Sequence, residues 1–513
     1  MKLKRTENAI KGSIWGILQR LIGTILPFVV RTAIIHKLGS EYVGINGLFS
    51  SILQVLNLSE LGLNSAIVYN MYEPIAKEDT AAICALLNFY KKVYRIIGLV
   101  VLVIGLAILP ILPSLIHGNC PPDINIYWIY FVFLGNTVLS YFMFSYKGAL
   151  LSAYQRVDVL SITSIITSSV MYVLQFVMVF FFRSFYLYII LLPLFTIIGN
   201  LLNQYISLKM YPDIKCFGKL SKVQINNIKT RVYGAAIGKV SIVARGSFSS
   251  IILSSIFGLV TLSIYDSYIY ITAAVTSMLG IIEGALVAGV GNSVVLCDKN
   301  KNHEDMMKFT FLYQFLVTVC TAMLICLYQP FMRIWVGESL MLTDIEMFAF
   351  VAYFYISSLC SIHNVYANAL GLWWDLRLKS ILETVLNFVL IALGGYFFGI
   401  VGVLISMSLV LFFVTYLLNM WVIYKKYYGV IQIKRNLMLQ LKLSCVTIVS
   451  CIISYSLCML LPLSGVLGIL VKAIVSVLAS FAVFLVLNCK SKYVRSIYDY
   501  LCITKNLLLG AKR

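Results

Sequence analysis

Apolar residues run along this chain in blocks of 18 or more and do not alternate with a period of two. A block of that length crosses about 30 Å of hydrocarbon as a helix, and a helix satisfies all its own backbone N–H and C=O groups, as a bilayer demands. A β-barrel would show segments of about ten alternating residues instead, and the sequence has none. The blocks predict fourteen spans, at roughly 14–35, 44–69, 95–116, 125–146, 158–182, 186–208, 234–257, 262–296, 309–332, 345–371, 381–398, 401–424, 443–461 and 465–488. The expected fold is an all-α polytopic membrane protein. The eighth block is too long for one straight helix, and Gly280, Gly284, Gly289 and Gly291 predict that it bends or ends early. In segment 73–95 the apolar residues fall at helical spacing, which predicts a helix lying along the inner membrane surface.

Composition agrees with lipid as the solvent. Apolar residues make up 61% of the 513 residues and charged residues 12%, against about 25% charged in a soluble domain. The net charge of +20 would suggest nucleic acid in a soluble protein, but the basic residues occupy short gaps between apolar blocks, and no basic-aromatic motif is present. With the N-terminus in the cytoplasm, 32 of the 40 Lys and Arg fall in cytoplasmic segments, three outside (Lys37, Arg183, Arg333) and five within spans. That bias supports both orientation and span parity, with both termini inside a bacterial cytoplasmic membrane. The basic start followed by a long apolar block reads as an uncleaved first span.

The remaining chemistry is sparse. Of twelve cysteines most lie inside apolar blocks, no CxxC occurs, and only Cys120 falls in an expected external loop, so they read as small core residues. Four histidines (His36, His117, His303, His363) are scattered, which argues against a metal site. There is no GxxxxGK[ST] loop, HExxH or GxSxG, and no long external loop to house a sugar-transfer site. The chain is therefore expected to be no enzyme, with no catalytic residue and no cofactor.

An internal repeat sets the organisation. Tyr146-Lys-Gly-Ala149-Leu150 resembles Tyr366-Ala-Asn-Ala369-Leu370 at an offset of 220, and Leu38-Gly39 and Phe257-Gly258 match at 219, an offset that also sets Arg20 opposite Lys239. Leu201-Leu202-Asn203 recurs as Leu417-Leu418-Asn419 at 216. The expected plan is two six-helix lobes related by a parallel repeat, at 1–210 and 233–430, joined by a cytoplasmic linker at 211–232. A helix pair at 431–490 and a basic cytoplasmic tail at 491–513 follow. Parallel repeats of this kind carry substrate between the halves and alternate access by rocking.

Ionisable residues within spans cost about 2.5–3.5 kcal/mol each at mid-membrane and usually face a cavity or a partner. They are Arg20, Arg31, Glu60, Lys239, Arg245, Asp266, Glu283 and Lys472. Arg20 and Arg31 are eleven residues apart, which puts them within about 20° of one helix face and roughly 16 Å apart along it. Arg20, Arg31, Lys239 and Arg245 are the candidate groups for an anionic substrate, because cations facing a cavity, and guanidinium forks above all, suit an anion's oxygens. The bland reading is snorkelling near helix ends or internal pairing with Glu60, Asp266 or Glu283. Those three carboxylates are themselves candidates for ion coupling or for charge balance. Lys472, in the appended pair, reads as snorkelling or packing.

Residues 39–75, GSEYVGINGLFSSILQVLNLSELGLNSAIVYNMYEPIA, resemble the polysaccharide biosynthesis proteins that flip lipid-linked oligosaccharides. The likeness rests on the Gly-x-x-x-Tyr-x-Gly start, the Leu-x-Glu-Leu-Gly-Leu segment, the Tyr-x-Pro-Ile-Ala-like exit, and the layout of two lobes plus two helices. It implies the fold of the multidrug/oligosaccharidyl-lipid/polysaccharide exporter superfamily. It also implies outward movement of undecaprenyl-pyrophosphate-linked repeat units for O-antigen or capsule assembly. In related flippases of lipid-linked peptidoglycan precursors, cavity arginines on the first helix and second lobe engage the pyrophosphate, and Arg20, Arg31 and Arg245 occupy comparable places. The expected partners are the lipid-linked oligosaccharide, membrane lipids and polysaccharide polymerase machinery, with no nucleic acid. The alternatives are a multidrug or cation exporter of the same superfamily, which a basic cavity disfavours, and a membrane glycan polymerase or acyltransferase.

Overall fold

The computed structural model describes residues 5–57, 63–118 and 120–494. Among them all long regular structure is helical: α1 (Arg5–Lys37), α2 (Ser40–Leu56), α3 (Leu63–Ala76), α4 (Thr80–Ile108), α5 (Ile126–Phe142), α6 (Tyr146–Ala153), α7 (Val157–Phe180) and α8 (Phe185–Met210). Then come α9 (Lys222–Leu296), α10 (Lys299–Trp335), α11 (Asp344–Leu359), α12 (Ser361–Ala369), α13 (Arg377–Val410), α14 (Leu417–Ile423), α15 (Ile433–Met459) and α16 (Gly465–Asn488). Local sequence sets several starts. Asn125 accepts from the backbone N–H groups of Tyr127 and Trp128, Asp79 from that of Ala82, and Thr343 with Glu346 closes a capping box at α11.

Among the described residues ten helical stretches are long and apolar enough to cross a membrane, or eleven with the bent pair α5–α6. Two of them, Gly238–Val294 and Arg377–Tyr428, run 57 and 52 residues, far beyond the roughly 20 that one crossing needs. Each contains a glycine in the left-handed region, Gly258 (φ 85°) and Gly399 (φ 60°). The chain doubles back at both. Tyr265 Oη donates to Ser249 Oγ at 3.2 Å, sixteen residues away along the chain, a separation of about 24 Å in a straight helix. A Cβ on Gly395 would sit 3.2 Å from a methyl of Val403, across Gly399. The reversal at Gly258 is where the blocks 234–257 and 262–296 were expected to part. The second of these blocks does not end early: among the described residues no break in the helix occurs at Gly280, Gly284, Gly289 or Gly291, and the stretch continues helical to Leu296. Glycine permits a break without requiring one, and here the backbone ladder wins.

Segment 73–95 also departs from expectation. It forms no separate surface helix. Its first residues end α3, Glu78 turns the chain with a φ of 54°, and residues from Thr80 onward run straight into α4. The helical spacing was therefore real, but its apolar face (Ile83, Leu86, Leu87, Tyr90) is buried against protein.

The repeat is visible in the backbone. Positive-φ residues recur at matching separations: Gly39 with Gly258 and Gly118 (φ 82°) with Gly337 (φ 84°) at 219, and Arg183 (φ 49°) with Gly399 at 216. These positions terminate or reverse helices, so the two halves of the sequence change direction at equivalent points.

The chain groups into two compact units, residues 1–267 with 380–403, and residues 268–379 with 404–513. In the first, α1 runs along α7, and Gln19 donates to Ser164 at 2.9 Å. Small residues let backbones approach: Tyr130 Oη reaches the Gly105 carbonyl at 2.9 Å, and Gly44 faces the Leu259 carbonyl with no room for a Cβ. In the second, α10, α15 and α16 pack around Phe311, Leu443 and Phe484, with Thr318 and Thr447 hydroxyls 2.7 Å apart.

Candidate functional site

The four candidate cations all belong to the first unit. Arg31 lies on α1, half-buried, where Val30, Ala33, Ile34 and Ile35 are buried around it. Its Nη2 donates to the Ser263 carbonyl at 3.3 Å and to Ser267 Oγ at 3.2 Å. Both acceptors are on α9 beyond the Gly258 reversal, on the turn that carries Asp266, whose carboxylate feels the Arg31 charge. The wall beside Asp266 is α2: a Cβ on Gly47 would overlap the Asp266 carboxylate. Asn46, next to Gly47, donates to Tyr188 Oη at 3.1 Å. A guanidinium and a carboxylate thus stand close together, on a surface that only glycine lets close.

Arg20 is exposed, three turns earlier on α1, with Pro27 between it and Arg31. Lys239 is exposed on the first arm of α9. Arg245, on the same arm, is the deepest of the four: its Nη1 pairs with Glu383 Oε1 at 3.2 Å, with side chains 14% and 2% exposed. One turn along α13 from Glu383, Asn387 is fully buried, and among the described residues neither its amide nitrogen nor its oxygen finds a partner. The sequence reading missed Glu383 and Asn387. Both sit in an apolar run, and a carboxylate and an amide one turn apart there was a usable signal.

The candidate carboxylates do not share one unit. Glu283 belongs to the second, where it accepts from Tyr313 Oη at 2.5 Å. Glu60 lies outside the described residues. Among the described residues no group of three His, Cys, Asp or Glu side chains is arranged to hold a metal ion. Among the described candidate residues the first unit therefore holds the Arg245–Glu383 pair, Arg31 beside Asp266, and the exposed side chains of Arg20 and Lys239.

No family model matches the sequence, and no curated protein matches it. Solved structures do. A multidrug resistance MATE family transporter of the MOP superfamily, in an inward-facing conformation, aligns with a TM-score of 0.62 at 12% identity, covering 80% of this chain and 98% of that one. Its outward-facing conformation aligns at 0.57 and 14%, over 81% and 95%. A mutant of the Vibrio cholerae MATE transporter VcmN aligns at 0.57 and 16%, over 83% and 99%. The fold is that of the MATE transporters of the MOP superfamily, an all-helical membrane fold of two lobes. At such identities the likeness concerns the fold alone.

Proposed function

We propose that the chain is a flippase that moves undecaprenyl-pyrophosphate-linked oligosaccharide repeat units from the cytoplasmic to the outer leaflet, for O-antigen or capsule assembly. The observation that carries this is that the four cations of the spans, Arg20, Arg31, Lys239 and Arg245, fall in one compact unit, with Arg31 beside Asp266 and Arg245 on Glu383. A gathering of cations suits an anionic cargo, and the lipid tail stays in the bilayer while pyrophosphate and sugar cross. Two of these cations, Arg20 and Lys239, are repeat mates 219 residues apart.

In this reading the lobes are 1–210 and 233–430, with 431–490 appended. Counting the two reversed stretches as pairs and α2 with α3 as one crossing reaches fourteen spans, with both termini in the cytoplasm. The lobes alternate access around the cations, and polysaccharide polymerase machinery takes the product. The rival is a multidrug exporter, the class of the solved structure with the inward-facing conformation. The test is transport of a defined lipid-linked oligosaccharide by the protein reconstituted in vesicles. Protection of the glycan from an external glycosidase should change only with active protein. Export of cationic dyes without any glycan flipping would overturn the reading.

A further inference from the structure

The second unit holds a cavity of about 310 Å³ between α10, α11, α15 and α16. Gln329, Arg333, Asp344 and Lys472 supply charge and polarity, and Leu463 and Ile469 lie among its apolar wall. Most of the polar groups are already committed. The Gln329 amide donates to the Leu342 carbonyl at 2.9 Å and to Asp344 Oδ1 at 3.1 Å, and its oxygen accepts from Tyr268 Oη at 2.8 Å. Arg333 pairs with Glu338 at 3.2 Å, both side chains largely exposed at the rim.

Lys472 differs. It is the one charge in the 24 residues of α16, otherwise built of apolar and small residues. It lies seven residues past Gly465, about 10 Å along the axis. Among the described residues no carboxylate lies within ion-pairing distance of its ammonium. An apolar helix that keeps an uncommitted lysine facing a cavity carries an insertion cost that a ligand can offset. Of the charged lining, Arg333 is paired with Glu338 and Asp344 accepts from Gln329, which leaves Lys472 as the lining cation with no carboxylate on it among the described residues. The cavity therefore suits one negative charge. Its walls are partly apolar, and its depth is one that a lysine stem reaches from the interfacial level.

We infer that this cavity binds the phosphodiester of an anionic amphiphile, the headgroup of a phosphatidylglycerol-type lipid, through Lys472 and Arg333. Lysine meets a phosphate as a point charge, and the apolar wall covers the glycerol backbone and the first chain carbons. The site is separate from the cations proposed for transport, so it stands or falls independently of that reading.

The test is native mass spectrometry and thermal unfolding of the purified full chain in detergent. Dioleoyl phosphatidylglycerol, phosphatidylcholine, phosphatidylethanolamine or soluble glycerol 1-phosphate is added in turn. One phosphatidylglycerol should be retained per chain and should raise the unfolding temperature, and the zwitterionic lipids should do neither. Lys472→Met should weaken retention about tenfold, the loss expected of one charge-assisted hydrogen bond, and Lys472→Arg should keep it. Arg333→Gln, at an exposed position, provides a second variant if Lys472→Met does not fold. Binding of glycerol 1-phosphate as tightly as the lipid would make the site one for free phosphate and overturn the lipid assignment. Equal retention of all the lipids, or unchanged retention in Lys472→Met and Arg333→Gln, would overturn the site.

Discussion

Arg245 on α9 and Glu383 on α13 form a 3.2 Å ion pair with the carboxylate 2% exposed. Removing one partner of such a pair strands the other charge in low dielectric, a loss of about 3–5 kcal/mol, whereas replacing both with apolar side chains is often neutral. Arg245→Ala should therefore lower the unfolding temperature sharply in detergent, and Arg245→Met with Glu383→Leu should restore most of it. Transport separates the roles. A stable double variant that still flips glycan makes Arg245 structural, and a stable but inactive one keeps it in the substrate path.

Glycines give a graded test of the α2 packing. Within a helix, glycine-to-alanine gains about 1 kcal/mol of propensity when space allows. Around Gly16 nothing lies within 4 Å of the added methyl, so Gly16→Ala should hold or raise stability. At Gly44 the methyl meets the Leu259 carbonyl, which is backbone and cannot rotate away. Gly44→Ala should therefore lower the amount of folded protein. Gly47→Ala meets the Asp266 side chain, which can move, so it should fold and lose transport. Equal thermal stability of all three would refute this packing.

Arg31 reaches Ser263 and Ser267 with one nitrogen. Arg31→Ala should abolish glycan export at normal membrane abundance, and Arg31→Lys should restore part of it by keeping charge while losing the fork. Normal export by Arg31→Ala would remove it from the site.

Topology is testable with thiols. Cys120 is expected outside the cell and residue 219 inside. Burial pushes the Cys120 thiol above its ordinary range, so the reactive thiolate is scarcer at neutral pH than for a free cysteine. Labelling of intact cells by an impermeant reagent should reach Cys120, and its rate should keep rising with pH beyond the point where a free thiol levels off. A cysteine placed at 219, in a background without native cysteines, should stay unlabelled; external labelling there overturns the orientation.

Energetics follow from charge. A pyrophosphate with about two negative charges is driven outward by an inside-negative potential, about 2.3 kcal/mol per charge per 100 mV scaled by the field crossed. The emptied cationic site is drawn back by the same field. Flipping in vesicles under a potassium diffusion potential, with no proton or sodium gradient, should follow the sign of that potential. If it ignores the sign and follows an ion gradient, coupling belongs to Glu60, Asp266 or Glu283.

Much of this was legible from one dimension. Length, apolar blocks and the position of basic residues determined a helical membrane protein, because lipid leaves few ways to satisfy a backbone. The offsets near 218 in the sequence reappear as matched positive-φ positions, because a reversal requires a residue that tolerates it, and glycine is written in the chain at Gly39, Gly258 and Gly337.

What a side chain faces was decided only by tertiary structure. Periodicity located Arg31 and Arg245 within spans but could not separate a guanidinium beside Asp266 from one closed on Glu383, since partners 138 residues apart meet only when α9 and α13 pack. The unbroken helix through Gly280–Gly291 and the continuation of segment 80–95 into α4 have the same origin. Local sequence permits a bend or a surface helix, and burial against neighbours selects among the permitted forms. Lys472 shows it most clearly, because a lone lysine in an apolar helix reads as snorkelling until α10, α11 and α15 close a cavity around it.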